Sequence, residues 1–498
     1  MGQPSFQGGW RRAACAVFGL LVAAEGAAWA GTVTHRTEDK RDLYVTGEAL
    51  KAGPVDPQIA RALGQISAER IRHTITKLVS FYTRNTNSSM ATDLPKGEGV
   101  TAAAEWIEGE LKSYSAACGG CLEVMTDTFI QPVEPGPYSG VTVPTKITNV
   151  YAVLKGTDPA QQNRVILVSG HYDSRDSTNS DYHKAAPGAN DDGSGVAVSL
   201  ECARVLSKLR FPATLVFETV AGEEQGLYGS AHMAKLAKNE GWKIEGVLNN
   251  DIVGGNTTPG DTLQDKAVVR VFSEGIPATA TPMEIRRLLM LGYASDSPSR
   301  ELARAITEVA QTYDGGPPAT ALHPVLEFRL DRFLRGGDHY SFNKEGFAAV
   351  RFTEWREDFH HQHQDVRVED GIQYGDLPKY VDFNYVARVA RLNAATMATL
   401  AMAPPPPTMV DIVVSKLDNN STLRWSPGEG APEGTRYQVL WRATSAPNWE
   451  RFTAAGIHMD GAQYEVTLPI SKDNVIFGVR AVDGAGHASL AVVPMPVR

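Results

Sequence analysis

From residue 146 onward the chain alternates short apolar, β-branched runs with longer amphipathic segments. Residues 165–168, 214–217, 247–248 and 348–352 read as buried strands. Between them, residues 193–209 carry Val196, Leu200, Ala203 and Leu206 on one helical face. Residues 225–238, 299–312 and 383–402 also read as helices, the last with Val386, Val389, Ala390, Met397 and Leu400 inward. Upstream, Ile71, Ile75, Leu78 and Val79 mark one helix and residues 102–111 another, after a polar, loop-like stretch over 31–60. This alternation predicts an α/β fold: a mostly parallel central sheet with helices on both faces.

The pattern changes after Pro404-Pro405-Pro406-Pro407, a stiff extended spacer. Residues 410–414, 422–425, 437–442, 464–468 and 475–482 are short strands separated by turn residues. That pattern predicts a small all-β sandwich with Trp425, Tyr437 and Trp441 in its core. The expected divisions are 1–30, 31–402, a linker at 403–409, and 410–498.

The first division reads as an export signal. Arg11 and Arg12 precede an apolar stretch over 13–24, and Ala28-Trp29-Ala30 fits a small-x-small cleavage site. The apolar run is too short for a stable membrane span, and no other segment is long and apolar enough. The expected mature protein is therefore secreted or periplasmic, with no membrane span. Cys118-Gly-Gly-Cys121 then reads as a local disulfide, and Cys202 as a buried thiol. The net charge of −9 over 498 residues argues against nucleic acid as a partner. Oligomeric state is not legible.

The chemistry-bearing residues stand where predicted strands end, the side on which open α/β sheets bind ligands. His171-Tyr172-Asp173 follows the first strand, and a loop then leads to Asn190-Asp191-Asp192-Gly193. Glu223-Glu224 follows the second strand, Asn249-Asn250-Asp251 the third, and His360-His361-Gln362-His363-Gln364-Asp365 the last. Imidazole and carboxylate are zinc ligands. A two-ion centre needs a shared carboxylate, terminal ligands and a carboxylate base, and this inventory supplies them. Adjacent carboxylates such as Glu223 and Glu224 repel unless a cation lies between them.

At these positions the sequence resembles the zinc-dependent aminopeptidases typified by bacterial leucyl aminopeptidase, with glutaminyl cyclases and glutamate carboxypeptidases as more distant relatives. The motifs are GHYDS at Gly170–Ser174, APGANDDGSG at Ala186–Gly195, AGEEQGLYGS at Ala221–Ser230, NNDIVG at Asn249–Gly254 and HQHQD at His361–Asp365. The resemblance implies two zinc ions per chain. His171 and Asp251 would hold one, Glu224 and His361 the other, and Asp191 would bridge them. Glu223 would be the general base, and Asp173 would orient His171. His361 is preferred to His363 because the family ligand stands four residues before an aspartate, here Asp365. The resemblance also implies a cis peptide at Asp191–Asp192. His339 and Tyr340, in Gly337-Asp338-His339-Tyr340, would line the substrate pocket, or His339 would be a buried loop histidine. The implied substrates are peptides with free N-termini. The C-terminal sandwich resembles a fibronectin type III domain through its Trp425, 437–441 and 477–483 segments.

Two other readings stand beside this one. The same scaffold supports a glutaminyl cyclase-like acyltransferase or a carboxypeptidase. A non-enzymatic binding protein would need a vestigial site, which the complete ligand set opposes.

Overall fold

A computed structural model describes residues 41–133, 140–314 and 321–498; the expected export segment, 1–30, lies outside the described residues. Among the described residues, no helix is long and apolar enough to cross a membrane.

The centre is an eight-stranded mixed sheet. Its strands are β1 (Glu123–Gln131), β2 (Thr145–Leu154), β3 (Arg164–His171), β4 (Thr214–Val220), β5 (Lys243–Asn250), β6 (Val268–Ser273), β7 (His323–Glu327) and β8 (Ala349–Glu354). Their spatial order is β1-β2-β4-β3-β5-β8-β6-β7. The middle four, β4, β3, β5 and β8, are mutually parallel; β1, β2 and β6 join antiparallel to their inner neighbours. The expected α/β architecture is thus present, with four parallel strands in the middle and a further parallel pair, β6 and β7, at one edge. β3 and β4 are buried along their whole length, which explains their unbroken apolar runs.

One face of this sheet is covered by the helices Ala68–Val79, Gly193–Leu206 and Phe383–Met402. The last buries Val386, Val389, Leu392, Met397 and Leu400, each contributing roughly 1.5–3 kcal/mol. Close approach is possible because Gly170 faces Gly195: a β-carbon on Gly170 would lie 2.5 Å from the Gly195 carbonyl carbon. The other face, with Val165, Leu167, Val216 and Val247, packs against Tyr228–Asn239 and the short helix His339–Lys344. The helix expected over 225–238 is broken: Glu223–Gly226 and Tyr228–Asn239 meet at Leu227, whose φ is 60°.

The C-terminal sandwich has a four-stranded and a five-stranded sheet around Trp425, Tyr437 and Trp441. Its boundary differs from the expected one. Glu48–Ala49 pairs with Arg451–Thr453, Leu43 sits in the sandwich core, and the Trp441 indole donates to the Leu43 carbonyl at 2.9 Å. Residues 43–49 therefore complete the second module. Nor are residues 403–409 a free spacer, because Pro404, Pro405 and Pro407 are buried. Cys118 and Cys121 form the expected disulfide, and Cys202 is a buried free thiol.

Candidate metal centre

The C-terminal ends of β3, β4 and β5 bring the site together. β3 ends in His171, the turn after β4 delivers Glu223 and Glu224, and Asp251 follows β5. Asp191 precedes the helix Gly193–Leu206, and the Asp191–Asp192 peptide is cis as the resemblance implied. The two aspartates diverge. Asp192 turns into the fold and accepts from the backbone N–H groups of His171 (3.0 Å) and Gly195 (2.8 Å). Asp191 faces the site.

Two groups of potential ligands form there: His171, Glu223 and Asp251, and Asp191, Glu224 and His363; within each, the ligand atoms lie within 4.8 Å of one another. Asp191 joins them. Its Oδ1 lies 3.2 Å from His171 Nε2 and its Oδ2 3.0 Å from His363 Nε2. His363 Nε2 is also 2.9 Å from Glu224 Oε2, and His171 Nε2 lies 3.9 Å from both Glu223 Oε2 and Asp251 Oδ1.

The structure corrects the late histidine: His363, not His361, stands with Asp191 and Glu224. His361 stacks on Tyr380, with ring centroids 3.8 Å apart, and its Nε2 is 3.8 Å from Asp358. Asp365, the spacing marker, is held instead by the Ser177 hydroxyl at 2.6 Å and by Lys184 at 3.2 Å. His363 itself has φ 56°, so the local backbone departs from the regular geometry that a spacing argument assumes.

Electrostatics mark the same residues. Burial opposes charge on His171 and His363, but surrounding carboxylates outweigh it: His171 is held well above its ordinary value, and Glu224 and Asp191 raise His363 to about 10. Burial would also raise Asp191, yet the two histidines beside it hold it well below the usual range. Glu223 is pushed well up by burial and by Asp251, Asp338 and Glu224, against the pull of His171. His171 Nε2 and Glu224 Oε1 are buried without a hydrogen-bond partner among the described residues. Four carboxylates and two imidazoles around such orphaned atoms fit a divalent cation of zinc's ligand preference.

The surrounding groups hold this arrangement. Asp173 sits behind His171, its backbone oxygen 3.2 Å and its carboxylate 3.4 Å from Nδ1, as expected of an orienting residue. The same carboxylate accepts from the Glu224 backbone N–H (3.2 Å) and the Thr86 hydroxyl (3.2 Å). Sequence reasoning missed several partners. Arg351, fully buried, lies 2.8 Å from Asp251 Oδ2. Asp376 accepts from the Asp191 backbone N–H at 2.7 Å, and Arg84 donates to the carbonyls of Tyr172, Pro187 and Gly188. A charged residue inside the apolar run Ala348–Phe352 was the available signal for Arg351. Arg84 and Asp376 lie in unpatterned segments that carried none.

His339 does not face solvent as a pocket-lining residue would. His339 is fully buried, with Nε2 2.9 Å from the Leu330 carbonyl, which is the loop-histidine alternative. Tyr340 is half-buried beneath the Lys344 ammonium.

Residues 149–377 match the model of peptidase family M28. A probable zinc metalloprotease of Pyricularia oryzae is 46% identical over 457 residues, covering 90% of this chain and 87% of that protein. One from Leptosphaeria maculans is 42% identical over 442 residues, covering 89% and 97%. The chain is a peptidase and belongs to family M28. Among solved structures, the Legionella pneumophila LapA aminopeptidase aligns over 77% of this chain and 79% of its own, at 20% identity and TM-score 0.45. A Fimbriiglobus ruber glutaminyl cyclase aligns over 67% and 95%, at 18% identity and TM-score 0.44.

Proposed function

We propose that this peptidase is an exported di-zinc aminopeptidase that removes the first residue of peptides with free N-termini. The observation that carries the two-ion reading is Asp191, whose two oxygens face His171 at 3.2 Å and His363 at 3.0 Å. His171 and Asp251 would hold one ion, Glu224 and His363 the other, and Asp191 both. Bound there, zinc supplies Lewis-acid polarisation of the scissile carbonyl and acidifies its water.

The chain's own residues do the rest. Glu223, enclosed and raised in proton affinity, takes a proton from the attacking water and returns it to the departing amine. Asp173 fixes the His171 ring so that Nε2 faces the cluster. Arg351 holds Asp251 from behind. The export reading rests on the basic and apolar residues of segment 1–30. The fibronectin type III likeness of the C-terminal module rests on its strand and aromatic pattern.

An aminoacyl-nitroanilide panel on the mature protein, with zinc counted per chain before and after chelation, tests this reading. Two zinc ions and chelator-sensitive release of nitroaniline are expected. One zinc ion with cyclisation of N-terminal glutamine would replace it with the glutaminyl cyclase reading.

A further inference from the structure

One layer beneath the metal ligands lies a row of polar side chains that the proposed reaction does not use. In the sheet register Glu218 on β4 stands beside Ser169 on β3, Ser169 beside Asn249 on β5, and Asn249 beside Arg351 on β8. Register partners in a parallel sheet share a face, and residues two apart on a strand share it too. Ser169 therefore lies under His171 and Asn249 under Asp251, separated by about 7 Å along the strand. The row below it on the same face is apolar: Val216, Leu167 and Val247.

This layer is sealed. Glu218, Ser169 and Asp338 are fully buried and Asn249 is 1% exposed. Yet both oxygens of Glu218, both of Asp338, both polar atoms of Asn249 and the Ser169 hydroxyl lack a hydrogen-bond partner among the described residues. Buried polar groups left unpaired are costly, so the layer requires occupants. It offers several acceptors and few donors, which calls for water together with a proton.

We propose that Glu218, Ser169, Asn249 and Asp338 enclose a hydrated, proton-holding site, and that Glu218 is a positioning residue kept as a neutral acid beneath the metal ligands. The groups facing Glu218 agree. Ser169 flanks it on β3 and Tyr151 on β2, and Asp338, at the start of the helix His339–Lys344 that packs on this face, adds a negative charge. Asp127 on β1 adds a more distant negative charge, itself paired with His232 at 2.7 Å. Arg351, the cation in the row, is turned to Asp251 and Asp331. Burial and the Asp338 charge push Glu218 up to about 8. Above that value its proton passes to solvent hydroxide, leaving a carboxylate beneath His171 and Asp251.

The test compares wild type with E218Q, and with E218M in case the amide is not tolerated. A carboxyl whose proton affinity is raised by folding contributes stability that is complete below its unfolded value of 4.5 and lost as pH rises towards 8. The wild-type Tm should therefore fall relative to either neutral variant between pH 5 and 8, by at least about 2 °C. A protonated-carboxyl infrared band present in wild type at pH 6 should be missing from the variant. Both readouts are independent of the aminopeptidase reading, so they stand if no peptide is cleaved. Where activity is present, kcat should decline above pH 8 in wild type and less steeply in E218Q. Parallel Tm–pH curves with an unchanged infrared band would overturn the proposal. So would failure of both variants to fold at pH 5, or a bound cation beyond those of the metal centre that E218Q loses.

Discussion

Two clusters of buried charge lie in this molecule, and their difference shows what a ligand site looks like. At the junction between the α/β domain and the sandwich, Arg304 and Arg442 meet Asp296 and Glu301, and the Trp449 indole donates to Glu301 at 3.0 Å. Positive and negative groups balance there, two of each. At the metal centre, four carboxylates and two histidines converge with Arg351 touching one edge, and the His171 nitrogen facing them has no hydrogen-bond partner. The junction is the more deeply buried of the two, whereas Glu223, Glu224 and His363 of the metal centre are only half-buried, so depth of burial does not mark the ligand site. The missing counter-charge does.

Breaking each cluster should give opposite signatures. Glu223→Gln should retain zinc and fold but lower kcat by about 10²–10⁴-fold, read from nitroanilide hydrolysis with metal analysis. A variant with normal kcat would remove Glu223 as the base. Arg304→Ala should leave the metal ligands in place yet destabilise the protein by about 3–5 kcal/mol, because Glu301 and Asp296 lose a buried partner. Denaturant unfolding measures this, and an unchanged midpoint would show the junction to be dispensable.

A sharper contrast lies within one loop. His363→Ala should reduce bound zinc, while His361→Ala should preserve the stoichiometry, losing only its stack on Tyr380. Zinc loss in the second variant alone would restore the spacing-based assignment.

The smallest expected effect is a pH dependence at the sandwich. His487 Nδ1 lies 2.7 Å from Asp483, and Nε2 lies 3.3 Å from Asp56, near the chain's start. Burial opposes its charge, but these two carboxylates outweigh burial and raise it above 6.5. Its contribution to stability is thus complete below pH 6.5 and lost as pH rises through the raised value. A His487→Gln variant should show a flatter Tm–pH curve above pH 6.5. Superimposable curves would mean the pair contributes nothing measurable.

The sequence by itself determined the four central strands, the long helices and most of the residues gathered at the site; the outer strands Glu123–Gln131, Thr145–Leu154, Val268–Ser273 and His323–Glu327 were not legible in it. Apolar runs of β-branched residues could be little but buried strands, and the helix Phe383–Met402 occupies the span its periodicity predicted. His171, Glu223, Glu224 and Asp251 were legible because each stands beside a strand end, where chain position and spatial position coincide, and Asp191 because it stands in the motif just before a helix. Tertiary structure decided the rest. Which histidine of HQHQD enters the centre depended on a left-handed backbone at His363 and on Asp365 being drawn away by Ser177 and Lys184. The partners Arg351, Asp376 and Arg84 reach the site across long chain separations, and residues 43–49 reach the sandwich across a longer one. Periodicity and spacing record what a residue does with its near neighbours in the chain. They carry no information on contacts that only folding creates.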